Sequence, residues 1–363
     1  MKLDARLDLL RRLSEVTGVS GDEHRVAKLV KDELEGVADT IEFDNLGSLV
    51  ARLDGKKGEP VISFSAHMDE VGFLVGRIEK NGYIRLHPVG GWWGHVVLAH
   101  EWTVITREGK EFIGVTGAQP PHGMPPEARN KVMEIKDMYL DLGVKDKEAV
   151  EKLGIRVGDP IVPLQKFRVL NDGEALLGKA WDDRVSVGVG IEVIKRLKQE
   201  GGFKANVAFV ASVQEEVGLR GAKTSTHLVK PDISFGVDVT MSYDLPGSPD
   251  SPTKLGAGVA LSVMDGSVIA HRGFFDFVEK IAKEKGINYT YDLLTAGGTD
   301  SGEIHKYGNG VVNMTISLPC RYFHSHVSIV NRKDVDAAID LLVEVVKAVD
   351  KETLAALKAT KFQ

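Results

Sequence analysis

Three segments of this 363-residue chain are apolar at most positions, and they constrain the fold more than any other feature. They are Val61–Ala66, Val207–Val213 and Ile233–Val239. A strand that is apolar on both faces suits the middle of a sheet that helices cover on both sides. Segments with a helical period lie between these strands, as in residues 184–198. We therefore predict an α/β protein with three layers, in which helices cover a mixed, largely parallel sheet.

Apolar periodicity predicts further elements on either side of this sheet. Ser20 followed by Glu23 is a capping-box pattern, which predicts the start of a second helix. The predicted helices cover residues 3–16, 184–198, 273–285 and 333–357, and a further strand covers residues 311–318.

Residues 71–163 have a different pattern from the rest of the chain. Short alternating segments flank the turn pairs Asn81-Gly82 and Glu108-Gly109, which predicts two hairpins. A Pro-rich stretch at residues 118–126 predicts a mobile loop. We interpret residues 71–163 as a small β-barrel-like domain inserted into a main domain, which consists of residues 1–70 and 164–363.

Composition narrows the classes of function. The formal net charge is -6, with acids and bases interspersed, so neither nucleic acid nor an anionic membrane surface is an expected partner. No apolar run approaches the roughly 20 residues that cross a bilayer, and the charged N-terminus lacks a secretory pattern. We therefore expect a cytoplasmic protein. The low Gln content, beside abundant Lys and Glu, indicates a thermophilic source.

Cys320 is the single cysteine, which excludes an intrachain disulfide and a thiolate zinc cluster. Any metal would therefore bind His, Asp or Glu. His67 and Asp69 follow the first apolar strand, where an imidazole and a carboxylate two residues apart can share a face. Asp182 and Asp183 precede the helix of residues 184–198, and either of them could instead be its N-cap.

Other candidate ligands follow the later strands. Glu215 and Glu216 come directly after an apolar strand, where two adjacent carboxylates are costly to keep charged without a cation. Solvated loop acids are the alternative interpretation. Asp238 lies near the end of the next apolar strand. His324 and His326 are two residues apart, so their spacing alone leaves either as the ligand.

The order of these residues and their flanking motifs closely resemble the M42 family of glutamyl, leucyl and lysyl aminopeptidases, TET-type enzymes of the cocatalytic metallopeptidase clan. The order is His-x-Asp, Asp-Asp, Glu-Glu, Asp and His. The flanking motifs are Ala180-Trp181-Asp182-Asp183-Arg184, residues 214–222, Gly297-Gly298-Thr299-Asp300 and Arg321-Tyr322-Phe323-His324-Ser325. The sequence departs from the family pattern at His326, at Ser328 and in residues 90–95, which include Trp92 and Trp93.

The resemblance implies two divalent metal ions per subunit, zinc or cobalt. Asp182 would be the ligand that both ions share. His67 and Asp238 would complete one site, and Glu216 and His324 would complete the other, so the motif selects His324 over His326.

The resemblance also implies roles for residues beside the ligands. Glu215 would be the general base that takes a proton from the attacking water and passes it to the leaving amine. Asp69 would orient His67. A cis peptide bond would join Asp182 to Asp183.

The implied reaction is hydrolysis of the first peptide bond of a short peptide with a free N-terminus. Gly297, Gly298 and Thr299 would line the substrate pocket. The inserted domain would pair subunits into dimers, or act as a lid, and the dimers would build a homo-oligomeric dodecamer.

Other functions stay open at the level of sequence. A related di-metal hydrolase, such as an acyl-peptide deblocking enzyme, would use the same ligands. The pair Glu215 and Glu216 also fits a glycosidase, which needs two carboxyl groups and no transition metal. A scaffold without activity is a further alternative, but intact ligand and base positions argue against it.

Overall fold

The strands of this protein form two separate assemblies. The computed structural model describes residues 3–362, apart from the side chains of Pro121 and Ala128. Within that range, 11 strands form a mixed sheet and six form a closed barrel. Helices pack on the sheet. The predicted fold class is therefore confirmed.

The six barrel strands are consecutive along the chain, and sheet strands precede and follow them. In chain order they are β1 (Thr40–Phe43), β2 (Leu49–Leu53), β3 (Val61–His67), β4 (Gly72–Ile78), β5 (Ile84–Val89), β6 (Glu101–Ile105), β7 (Glu111–Gly117), β8 (Tyr139–Asp141), β9 (Pro160–Pro163), β10 (Arg168–Val169), β11 (Ala175–Gly178), β12 (Asn206–Ser212), β13 (Ile233–Met241), β14 (Val259–Met264), β15 (Tyr289–Leu293), β16 (Val312–Arg321) and β17 (Ser328–Asn331).

The helices lie mainly in the two parts of the chain that flank the barrel. Within residues 3–362 they are α1 (Ala5–Glu15), α2 (His24–Leu34), α3 (Lys147–Lys152), α4 (Trp181–Glu200), α5 (Arg220–Val229), α6 (Arg272–Lys285), α7 (Ser301–Ile304), α8 (Arg332–Ala348) and α9 (Lys351–Ala359).

Four neighbouring strands form the centre of the sheet. Strands β12, β3, β13 and β16 lie side by side and run parallel to one another. The strands beside them, β2, β14 and β17, pair antiparallel. Because the central strands share a direction, their carboxyl ends meet at one edge of the sheet, where ligands collect in α/β proteins. His67 ends β3 at this edge.

Alternate side chains of the central strands face two different helical layers. On one face, Phe64 stacks on Phe209 with ring centroids 5.5 Å apart. Both rings belong to the hydrophobic core cluster that includes the apolar residues of α4. Each such buried side chain contributes about 1.5–3 kcal/mol. On the other face, Ser65 Oγ donates to Asp300 Oδ2 at 2.5 Å, directly before α7.

The barrel is closed by β4, β5, β8, β7, β6 and β9, in that order. Both predicted hairpins are present, since β4 pairs with β5 and β6 pairs with β7. The barrel has its own core, in which the Phe73 ring lies 5.1 Å from both Trp92 and Trp102. Residues 118–126 contain short 3-10 turns, and their mobility stays a prediction. The bounds 71–163 for an inserted domain also stay a prediction.

The capping-box prediction is wrong. Helix α2 begins at His24 without a side-chain cap. Ser20 Oγ donates instead to Asp69 Oδ2 at 2.6 Å, and Glu23 Oε1 accepts from the backbone N–H groups of Gly21 and Gln214. A capping box satisfies only local backbone donors. Here Ser20 bonds to Asp69 and Glu23 bonds to Gln214, two residues that are distant in sequence and that the local pattern does not reveal.

The single C-terminal helix predicted for residues 333–357 is also wrong. Helix α8 ends at Ala348, and Asp350 caps α9 by accepting from the backbone N–H groups of Glu352 and Thr353. Asp favours this cap position over a helix interior. Among the described residues, no helix is long and apolar enough to cross a membrane.

Candidate metal centre

The predicted ligands converge at the carboxyl edge of the sheet. His67 ends β3 and Asp238 lies in β13. Glu216 follows β12, and His324 follows β16. Asp182 comes from the start of α4, where the backbone of Asp182 and Asp183 is not helical. Parallel strand direction therefore collects residues that are as far apart as positions 67 and 324.

Asp182 lies between the two candidate imidazole ligands. Its Oδ1 is 3.0 Å from His67 Nε2, and its Oδ2 is 3.3 Å from His324 Nε2. His324 Nε2 also lies 3.4 Å from Glu216 Oε2. Each oxygen of one carboxylate thus faces a different imidazole, which is the arrangement expected of a ligand that two ions share. The Asp182–Asp183 peptide bond is cis, as the resemblance implied.

The donor set fits a divalent metal ion. Ligand atoms of His67, Asp182 and Glu216 lie within 4.8 Å of one another, and so do those of His67, Asp183 and Asp238. In the described part of the chain, buried Glu216 Oε1 has no hydrogen-bond partner. A buried carboxylate oxygen without a donor is costly unless a cation is bound. Imidazole and carboxylate ligands suit zinc or cobalt.

The pKa values show how strongly acids dominate this cluster. Burial raises the pKa of Glu216 to about 8, and the charge of Asp182 adds to the effect. Burial likewise raises the pKa values of Glu215 and Asp238 well above their usual range, and neighbouring carboxylates raise them further. A bound cation would relieve this repulsion by favouring the charged carboxylates.

The pKa of Asp182 moves in the opposite direction. Burial raises it, but hydrogen bonds with His324 and His67 outweigh burial, so the pKa lies well below its usual range. Asp182 is therefore the acid of the cluster most readily held as a carboxylate. This property suits a shared ligand, because metal ligands bind in their deprotonated form.

The Asp69 carboxylate lies beside His67 and also bonds to the turn that follows β12. His67 Nδ1 lies 3.0 Å from the backbone oxygen of Asp69 and 3.5 Å from its carboxylate. The carboxylate accepts from the backbone N–H groups of Glu215 at 3.0 Å and Glu216 at 3.1 Å. Asp69 thus links the strand that carries one candidate ligand to the turn that carries the proposed base.

Two buried acids near the cluster, Asp183 and Asp300, were not predicted as site residues. Asp183 Oδ2 accepts from the backbone N–H of His67 at 3.1 Å. Asp300 Oδ2 accepts from Ser212 Oγ at 2.6 Å on the α7 face of the sheet. Asp300 belongs to a motif of the family resemblance. The alternation of β3 and β12, which places Ser65 and Ser212 on one face, was the signal that could have located its partners.

His326 lies away from the cluster. Its ring stacks on His100 at 4.2 Å and meets Trp102 edge-on, and its Nε2 contacts the backbone oxygen of Leu164 at 3.2 Å. Burial and then the neighbouring His100 lower the pKa of His326 to about 4. The segment after β5 nevertheless reaches the candidate metal centre, because His324 Nδ1 lies 2.9 Å from the backbone oxygen of Gly91.

A cavity of about 660 Å³ opens beside the cluster. His67, Asp182 and Glu215 are among the residues that line it. The predicted pocket residues also line it: Gly297, Gly298 and Thr299. A cavity of this size next to a metal centre is where a small substrate would bind.

Comparison with known proteins gives a consistent result. The M42 glutamyl aminopeptidase family model matches residues 47–341. The fold is similar to that of the TET aminopeptidase from Thaumarchaeota archaeon SCGC AB-539-E09, with a TM-score of 0.95 and 38% identity, covering 98% of this chain and 100% of that one. It is also similar to the Pyrococcus horikoshii TET1 peptidase, with a TM-score of 0.84 and 31% identity over 94% and 99% of the two chains. The glutamyl aminopeptidase of Lactococcus lactis subsp. cremoris is 33% identical, covering 97% of this chain and 98% of its own length.

A helix-covered mixed sheet with an inserted barrel, and with imidazole and carboxylate groups at the strand ends, is characteristic of zinc-exopeptidase-like proteins. The chain belongs to the M42 glutamyl aminopeptidase family. It is an aminopeptidase, an enzyme that hydrolyses peptide bonds.

Proposed function

We propose that this aminopeptidase uses two divalent metal ions, zinc or cobalt, to remove the N-terminal residue from short peptides. The placement of the Asp182 carboxylate between His67 and His324 is the observation that carries the proposal. In this proposal Asp182 is shared, His67 and Asp238 complete one site, and Glu216 and His324 complete the other. The proximity of Asp183 to His67 and Asp238 makes it a neighbour of the first site.

In the proposed reaction, the metal ions and individual side chains have separate roles. When bound, the two ions would supply Lewis acidity at the scissile carbonyl and lower the pKa of a water molecule. Glu215 takes the proton from the attacking water and passes it to the leaving amine. Its Oε2 lies 3.9 Å from His67 Nε2, beside the ligand cluster and within the cavity. The Asp69 carboxylate holds Glu215 in place by accepting from the backbone N–H of Glu215.

A panel of aminoacyl p-nitroanilides, assayed with zinc, with cobalt and without added metal, tests this proposal. We expect hydrolysis that a chelator abolishes and that either metal restores. N-acetylated forms of the same substrates should resist hydrolysis, whereas an acyl-peptide deblocking enzyme would cleave them. Hydrolysis of a β-glucoside in the presence of chelator would favour a glycosidase, since that chemistry needs no transition metal.

Assembly into a dodecamer built from dimers is part of the proposal. The similar Pyrococcus horikoshii TET1 peptidase can assemble into a tetrahedron or a large octahedral shell. In this chain, Ile113, Val115 and Val132 expose between 43% and 60% of their surface on or beside the barrel, which fits subunit contacts through that domain. Light scattering after size exclusion should give the mass of twelve chains. An active monomer would contradict the proposed assembly.

Thermostability and a cytoplasmic location complete the proposal. Arg12 pairs with Asp8 at 3.0 Å and with Glu33 at 2.6 Å, and Glu33 also pairs with Lys195. This network joins three helices, α1, α2 and α4. Networks of this kind favour stability at high temperature, whereas isolated surface pairs contribute little. The half-life of activity at 80 °C, compared with that of a mesophilic relative, tests this part.

A further inference from the structure

The cavity beside the metal centre carries more negative charge than the ligand cluster requires. Asp265 and Asp292 line its wall in addition to the acids of that cluster. Both side chains are nearly buried, with 4% and 3% of their surface exposed. No Lys or Arg is among the residues described along this wall. Two metal ions would offset the charge of their own ligands, which leaves Asp265 and Asp292 without a matching cation in the cavity.

Asp292 lines the same cavity as the candidate ligands and is connected through Thr240 to the strand that carries Asp238. Asp238 and Thr240 are two residues apart on β13, so they share a face and are separated by roughly 7 Å along the strand. Thr240 Oγ1 donates to Asp292 Oδ2 at 2.7 Å. On β15, Asp292 is buried while Tyr291 and Leu293 are exposed, so its side chain points inward.

The two acids differ in how their oxygens are used. Asp265 Oδ1 accepts from the backbone N–H groups of Ser267 and Val268, and its Oδ2 accepts from Thr299 Oγ1 at 3.2 Å. Those bonds shape a turn. For Asp292 the Thr240 hydroxyl is the side-chain donor. Burial raises the pKa of Asp292, and the nearby charge of Asp265 adds to it. A cationic group placed beside Asp292 would offset both effects.

We infer that this enzyme prefers peptides whose N-terminal residue is Lys or Arg, with Asp292 as the residue that determines this specificity. The inference rests on the proposed function, in which the substrate's N-terminus lies at the metal centre. A side chain of four methylene groups then brings its ammonium to Asp292, in a cavity that Ser262, Thr315 and Ser317 also line. The carboxylate of an N-terminal Glu would be repelled by the same wall.

The experiment compares kcat/KM for p-nitroanilides of lysine, arginine, norleucine, leucine and glutamate. Norleucine has the methylene chain of lysine without its charge, so the ratio of lysine to norleucine isolates the ammonium. We expect this ratio to be about 10 or more, because a hydrogen bond to a charged group discriminates by that factor. The Asp292→Asn variant keeps an acceptor for Thr240. It should reduce the ratio to near one while retaining activity on norleucine.

Asp250→Asn is the matched control, since Asp250 is fully exposed and lies outside the cavity. It should leave the ratio unchanged. Calorimetric binding of L-lysinamide and L-norleucinamide to the metal-loaded protein separates two kinds of failure. Tighter lysinamide binding by a protein that hydrolyses nothing would overturn only the proposed function. Equal binding of the two amides, or a preference for leucine or glutamate anilides, would overturn the inference.

Discussion

Asp182 Oδ1 lies 3.0 Å from His67 Nε2, while the second oxygen of the same carboxylate faces a different imidazole. Removing this carboxylate should therefore weaken both metal positions together. We expect Asp182→Ala to lower the metal content from two ions per chain to fewer than one, measured by atomic emission after dialysis. Asp250→Ala, an exposed acid, should keep both ions. A variant that lost one ion and held the other tightly would contradict a shared ligand.

Glu215→Gln should separate catalysis from metal binding. The amide fills the same volume but accepts no proton, so kcat should fall by about 10² to 10⁴. The metal content should stay at the wild-type value, because Glu215 is proposed as the base and not as a ligand. Assays with the p-nitroanilide that the wild type hydrolyses fastest measure kcat, and metal analysis of the same preparation measures the metal content. Turnover near the wild-type rate would remove Glu215 from this role.

His324→Ala and His326→Ala form a matched pair. His324 faces Asp182 and Glu216, so its removal should reduce metal content and activity. His326 packs against His100 and Trp102, and its Nε2 contacts the backbone oxygen of Leu164. Its removal should keep the metal but cost about 1–3 kcal/mol of stability, as expected when a buried group loses its partner. Urea denaturation and metal analysis check the pair, and equal metal loss in both would refute the distinction.

We expect the Asp334 carboxyl group to make the stability of the folded protein depend on pH. Its two oxygens accept from the backbone N–H groups of Gly256 and Gly258 at 2.8 Å, yet burial raises its pKa to about 7. The unfolded value is about 3.9, so the folded protein binds this proton more tightly and loses stability as the pH rises from about 4 to 7. The loss amounts to at most about 4 kcal/mol.

The variant Asp334→Asn isolates this group from the other titrating residues. It loses one of the two acceptors, so it should be less stable than the wild type at pH 5. Because its side chain does not titrate, the difference between the two proteins should become smaller at pH 8. Thermal denaturation of both proteins at the two pH values measures this change. A difference independent of pH would show that Asp334 keeps its charge in the folded protein across this range.

The surroundings of Asp69 show where sequence reasoning ended, although its role in orienting His67 stays a prediction. The spacing of His67 and Asp69 indicated that the two share a face, and the family resemblance implied that one orients the other. In the structure the backbone oxygen of Asp69 is closer to His67 Nδ1 than its carboxylate is. The carboxylate also accepts from the backbone N–H groups of Glu215 and Glu216. Both residues are far from Asp69 in the sequence, so local spacing could not predict this contact.

The sequence by itself determined the central sheet and the edge of that sheet at which the candidate ligands meet. It could do so because apolar strands of shared direction must place their ends together. Only the tertiary structure decided which oxygen of Asp182 faces which imidazole. It also decided that His326 stacks on His100 and that Asp292 lies on the cavity wall. These relationships depend on side-chain direction and on burial between segments that are distant in sequence, and neither is encoded in local spacing.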